Sequence, residues 1–123
     1  MRRRLVGLVG VGKIARDQHL PAIAGNPAFQ LAACASRHAR VDGVDNFEDI
    51  GSMLEGRPDL DCIAICTPPQ AHFEIALAAL RRGKHVLLEK PPCATTTQLT
   101  ILAEEARQAE RTLFQAWHSR FAA

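Results

Sequence analysis

A chain of 123 residues, 47% of them hydrophobic, has the apolar mass for one buried core and too little length for two domains. Its formal net charge is only +2, with acidic and basic residues interspersed, which supplies neither a nucleic-acid-coating surface nor a patch for anionic lipid. The apolar runs are strand-sized and closed by charge, proline or glycine, well short of the ~20 residues of a spanning helix, so neither nucleic acid nor membrane is an expected partner.

In chain order, Arg2, Arg3 and Arg4 precede an apolar run that is short, broken by glycines and stopped by Lys13. It reads as a first strand, Leu5 to Val9, rather than a secretion signal, and the chain is expected to be cytoplasmic. A glycine-rich turn, Gly10-Val11-Gly12-Lys13-Ile14-Ala15, leads into a helix that Pro21 would kink or split near His19. Gly25-Asn26-Pro27 then marks a turn into a second strand, Leu31 to Ala35. A short strand over Val41 to Val44 and a helix from about Glu48 to Leu54 are predicted next, followed by a strand over Cys62 to Cys66.

Phe73, Ala76, Leu77 and Leu80 recur at helical spacing, and Gly83 sits where that helix should end before the strand His85 to Leu88. Thr95 with Gln98 forms a capping-box pattern ahead of a second stripe, Leu99, Leu102, Ala103 and Ala106, and the last strand is Leu113 to Trp117. Strands rich in Val, Ile and Leu on both faces, alternating with amphipathic helices, predict an α/β fold with a doubly wound, mostly parallel sheet.

The four cysteines, 34, 62, 66 and 93, form no C-x-x-C pair, and period two puts Cys62 and Cys66 on one strand face, so buried thiols are expected. The five histidines are scattered without zinc-ligand spacing, and no metal is predicted.

The glycine turn carries the first chemistry. G-x-G-x-x-A after a strand and ahead of a helix is the context of a dinucleotide-binding βαβ unit; a ligand-free glycine hairpin is the alternative. Gly10 would make the tight turn and Gly12 would let the backbone approach a pyrophosphate. The helix opening at Lys13 and Ile14 would aim its free N–H groups at the phosphates, with Ala15 small enough for close packing. An NAD-binding unit usually places Asp or Glu at the end of the second strand for the ribose hydroxyls. Ser36-Arg37 stands there instead. A hydroxyl beside a guanidinium suits a 2′-phosphate, so NADP is preferred over NAD as cofactor, with His38 and Arg40 either reinforcing the positive pocket or standing as ordinary surface. The alternatives for Arg37 are stacking on the adenine or exposure to solvent.

Beyond the turn, Cys66-Thr67-Pro68-Pro69 with His72, and above all Gly83-Lys84-His85-Val86-Leu87-Leu88-Glu89-Lys90-Pro91, resemble the glucose–fructose oxidoreductase, inositol dehydrogenase and rhizopine catabolism (Gfo/Idh/MocA) family over essentially the whole chain. Trp117-His118-Ser119-Arg120 looks like its bacterial pentose and galactose 1-dehydrogenase branch. The resemblance implies a Rossmann domain over residues 1–123, followed in the family by a substrate and oligomerisation domain that this chain is expected to lack.

It further implies that Cys66, Thr67, Pro68 and His72 border the cofactor and that Glu89 and Lys90 lie by the nicotinamide. Lys90 would face a sugar substrate as the catalytic residue, and Trp117 and His118 would line the sugar site. The plainer alternatives are a solvated strand-end lysine, a packed tryptophan and a surface histidine. Oxidising a sugar at its anomeric carbon needs a hydride acceptor and a base for the hydroxyl proton, and Lys90 would orient that hydroxyl or take its proton. The function expected is therefore the NADP-binding part of an aldose 1-dehydrogenase, inactive alone. The rivals are a non-catalytic dinucleotide-binding module and a chain whose uncovered apolar surface drives it into a homo-oligomer.

Overall fold

The computed structural model of the chain describes residues 3–11, 23, 25–37, 39–67, 69–88 and 96–115. Among them, β1 (Arg4–Val9), β2 (Phe29–Ala35), β3 (Asp45–Phe47), β4 (Cys62–Ile65), β5 (His85–Leu88) and β6 (Leu113–Gln115) form one sheet in the order β3-β2-β1-β4-β5-β6. Every neighbouring pair is parallel. The chain starts at the centre, fills one side, then returns to fill the other. This is the Rossmann strand order, with its switch point between β1 and β4.

Strand residues alternate between two apolar layers. Val9, Ala33, Ala35, Ile63, Ile65, Val86 and Leu88 share one core with residues from three helices. Helix α1 (Ile50–Gly56) gives Met53 and Leu54, α2 (Pro69–Arg81) gives Ala76, Ala79 and Leu80, and α3 (Thr96–Ala109) gives Leu102 and Ala106. The expected α2 stripe is thus present, with Ala76 and Leu80 fully buried and Phe73 and Leu77 partly buried at its flanks. Small alanines let α2 lie close to the sheet, and burying Leu80 contributes about 1.5–3 kcal/mol. The opposite layer contains Val6, Leu8, Cys34 and Ala64, and Cys62 and Cys66 pack against it together, as period two predicts. These three cysteines are thiols, Cys34 buried and the other two half-buried. Burial, with Asp61 adding to it, pushes the Cys62 thiol up.

Several polar groups at the element ends are satisfied locally. Asp49 caps α1 by accepting from the Ser52 N–H at 2.8 Å, so that helix begins two residues later than expected. Helix α2 opens at Pro69, a first-turn position where a backbone N–H has no partner anyway, and closes through Gly83 N–H to Leu80 O at 2.9 Å. The β1–β2 register shifts between Val6 and Gly7, leaving Ala32 without an opposite residue. Arg57 Nη1 donates to its carbonyl at 3.0 Å.

The strand predicted over Val41 to Val44 is a correction: those residues form a loop, and β3 follows at Asp45–Phe47. Val41 and Val44 are apolar because they pack under the loop against the Val6, Leu8 and Cys34 layer, while Gly43 turns the chain between them at φ +85°. The helix after the glycine turn, Thr95, Cys93 and the end of the last predicted strand lie outside the described residues. Among the described residues, no helix is long and apolar enough to cross a membrane.

Candidate cofactor-binding site

The switch point gathers the strand ends at one rim. Val9 is in register with Ala35 on one side and Ile65 on the other, so Gly10, Ser36 and Cys66 leave β1, β2 and β4 side by side. Hydrogen bonds tie these exits together: Gly10 N–H to Ala35 O at 2.9 Å, Cys66 N–H to Val9 O at 2.8 Å and Ser36 N–H to Phe47 O at 2.9 Å. Leu88 is in register with Ile65, so β5 ends at the same rim, where open α/β sheets bind ligands.

Gly10 takes φ +86°, and a Cβ there would stand 2.9 Å from both Thr67 Cγ2 and Thr67 N and 3.1 Å from the Cys66 carbonyl carbon. Only glycine lets the β1 and β4 turns touch, and this contact forms the floor of the crevice. Beside it, Thr67 Oγ1 is buried and without a hydrogen-bond partner among the described residues. A buried hydroxyl left unpaired loses about 1–3 kcal/mol. The hydroxyl fits a wall made for a polar ligand, at a turn held in place by its close packing on Gly10.

His72, on the first turns of α2, is 1% exposed, and its Nε2 donates to the Thr67 carbonyl at 2.6 Å. The ring therefore braces the Thr67 loop from behind. On the other side of β1, Ser36 is half-buried and Arg37 exposed. Ser36 Oγ accepts from Ala39 N–H at 3.2 Å, which fixes the hydroxyl and leaves its own proton to donate. Arg40 folds back, its Nη1 donating to the Ser36 and Ala39 carbonyls at 3.3 and 3.2 Å, and so belongs to the loop framework. The Asp49 carboxyl is held below the usual carboxylate range by its Ser52 hydrogen bonds, and the Arg37 guanidinium lowers it further.

Of the residues singled out from sequence, Gly10, Ser36, Arg37, Cys66, Thr67 and His72 are thus on or behind one rim. Gly12, Lys13, Ile14, His38, Pro68, Glu89, Lys90, Trp117 and His118 lie outside the described residues. The long family-like segment that begins at Gly83 spans β5, and its first residues act at the opposite edge of the sheet. Lys84 is buried, with Nζ donating to Pro58 O at 2.7 Å, and burial lowers its proton affinity against the opposing pull of Asp61 and Asp59. Sequence reasoning also missed Asn46, which falls between the expected strand and the expected helix and carries no signal of its own. A cavity of about 540 Å³ lined by Val6, Phe29, Cys62, Ala64, His85 and Leu87 lies on the sheet face away from α1–α3, apart from this rim.

Fold, switch-point crevice and glycine turn together define a nucleotide-binding domain of the Rossmann class. The Gfo/Idh/MocA oxidoreductase family, NAD-binding Rossmann fold, matches residues 4–116. The chain belongs to this family, and its cofactor is a nicotinamide dinucleotide. Among similar proteins, the galactose 1-dehydrogenase of Pseudomonas fluorescens is 57% identical over 90 residues, covering 73% of this chain and 30% of that protein. The 1,5-anhydro-D-fructose reductase of Ensifer adhaerens is 34% identical over 95% of this chain and 37% of its own length. A crystal structure of D-galactose-1-dehydrogenase from Rhizobium etli superposes with a TM-score of 0.95 at 48% identity, covering 98% of this chain and 39% of that one. The chain therefore spans about a third of the length of these relatives.

Proposed function

We propose that this chain is the NADP-binding part of an oxidoreductase that oxidises an aldose at its anomeric carbon. The observation that carries the cofactor choice is the end of β2, where Ser36 and Arg37 replace the customary acid. The Ser36 hydroxyl, oriented by Ala39 N–H, keeps a proton to donate, and the exposed Arg37 offers a planar pair of donors to a 2′-phosphate. Positions 36 and 37 carry no acid to repel the added charge. The sugar assignment rests on likeness to galactose 1-dehydrogenases at 57% and 48% identity.

In this scheme Gly10 makes the tight turn against the Thr67 loop, and Gly12 lets the backbone approach the pyrophosphate, together with the N–H groups at Lys13 and Ile14. Thr67 donates its hydroxyl to the nucleotide, Cys66 and Pro68 border it, and His72 acts through the Thr67 carbonyl rather than by touching the ligand. A bound nicotinamide supplies the hydride acceptor. Glu89 lies beside it, Lys90 orients the sugar hydroxyl or takes its proton, and Trp117 and His118 line the sugar. With a third of its relatives' length, the chain binds nucleotide but needs further polypeptide for turnover. It acts in the cytoplasm and as a homo-oligomer, the latter checked by light scattering over a concentration series.

Calorimetric titration with NADPH and then NADH in the same salt tests the cofactor reading. Tighter NADPH binding is expected; equal affinities refute the NADP assignment, and binding of neither refutes autonomous nucleotide binding. Lys90→Met in a full-length relative is expected to abolish galactose-dependent NADPH formation, and undiminished turnover would remove Lys90 from the chemistry.

A further inference from the structure

The excursion 36–44 carries Arg37 away from β2 and returns as β3. Its first end is fixed by Ser36, through Phe47 O and Ala39 N–H. Its second end is fixed by one side chain, Asn46, which lies opposite Cys34 in the β2–β3 register. Asn46 Oδ1 accepts from Val41 N–H and from the Cys34 thiol, both at 2.9 Å. Its Nδ2 donates to the Val41 and Val44 carbonyls, both at 3.0 Å. Two donors and two acceptor sites are all that a carboxamide has, so its bonding capacity is filled and its orientation is determined.

Three of those four bonds go to loop backbone, and the fourth goes to a thiol buried in the sheet. The amide therefore sets the height of the loop above β2. The root of the loop is in turn tied to the glycine turn, since Ala35 O accepts from Gly10 N–H. Arg37 is exposed, near Asp49, and has to be held where a ribose substituent in the crevice can meet it rather than follow that carboxylate.

We propose that Asn46 is a positioning residue for cofactor specificity: by clamping the 41–44 return of the loop to β2, it holds the Ser36-Arg37 end against the 2′-position of the bound nucleotide. This rests on the NADP reading above. It predicts that Asn46 controls discrimination between phosphorylated and unphosphorylated ribose, beyond any effect on folding.

The test is the ratio of dissociation constants, Kd(NADH)/Kd(NADPH), measured by titration of the chain and of Asn46→Ala, with Asn46→Ser as a milder variant if the alanine form does not fold. Leu102→Ala, a core substitution under α3, serves as the benchmark for destabilisation alone. A structural role weakens both nucleotides together and leaves the ratio at the Leu102→Ala value. Positioning makes the ratio fall about tenfold, the size of one lost hydrogen bond to a charged group. A ratio in the Asn46 variants equal to that of the parent chain overturns the proposal alone. A parent chain with no preference for NADPH overturns both it and the NADP reading.

Discussion

Gly10→Ala separates two effects that a single glycine substitution normally mixes. Gly10 and Gly43 have nearly the same φ, +86° and +85°, but different surroundings. A Cβ at Gly43 meets nothing within 4 Å, whereas at Gly10 it stands 2.9 Å from Thr67 N and Cγ2. Gly43→Ala should therefore carry only the left-handed penalty of about 1–2 kcal/mol. Gly10→Ala should add about 1–3 kcal/mol of overpacking, because the obstructing atoms include backbone and retreat would stretch the Gly10 N–H bond to Ala35 O. Of a total stability of roughly 5–15 kcal/mol, that leaves a folded but weakened chain.

Urea unfolding gives both free energies. Nucleotide titration should show affinity lost in Gly10→Ala, since the Thr67 loop must move. Thr67→Ser in the Gly10→Ala background removes the Cγ2 contact and keeps the backbone one, so it should restore only part of the stability. Equal losses for Gly10→Ala and Gly43→Ala would refute the claim that the two turns are in contact-limited packing.

Two further variants address the site wall and the far edge of the sheet. Thr67→Val keeps the shape of the side chain and removes the buried hydroxyl, which has no partner among the described residues. It should stabilise the ligand-free chain by about 1 kcal/mol while weakening nucleotide binding, and a variant that binds as tightly as the parent would show that the hydroxyl does not meet the ligand. His85 Nδ1 accepts from Thr112 N–H at 3.0 Å, and burial, then Arg111 and Arg4, push its proton affinity down. The unfolded chain takes the proton near the ordinary value of about 6.5 while the folded chain resists, so stability present above that pH is lost as pH falls through the folded value. His85→Asn, which keeps an acceptor but does not titrate, should flatten the stability profile below about pH 6.5; an unchanged slope would place the acid sensitivity elsewhere.

The strands were legible because a sheet covered on both faces demands Val, Ile and Leu at successive positions, and five of the six strands overlap the runs that carry them. The exception is instructive. Val41 and Val44 carry the same apolar signal as a strand, yet they serve a loop that uses the sheet as its floor, and hydrophobicity alone does not tell packing under a loop from pairing in a ladder. The Asp42-Gly43 pair was the available sign of a turn. Asn46 carried no sign, because its value lies in three backbone groups that only the fold brings within reach of one amide.

The same distinction divides the site. Gly10 was legible from spacing, since a motif records where a side chain must be missing. The buried Thr67 hydroxyl was not, because its burial depends on β1 and β4 lying side by side although far apart in sequence. His72 illustrates the intermediate case: its place beside the Thr-Pro loop was visible as a pattern, but the pattern did not say that the ring faces the Thr67 carbonyl instead of open crevice. A short sequence signature thus mixes residues that would touch a ligand with residues that hold them still. Here Gly83, Lys84 and His85, at the end of β5 remote from the crevice, share a signature with Leu88, where the same strand reaches the rim.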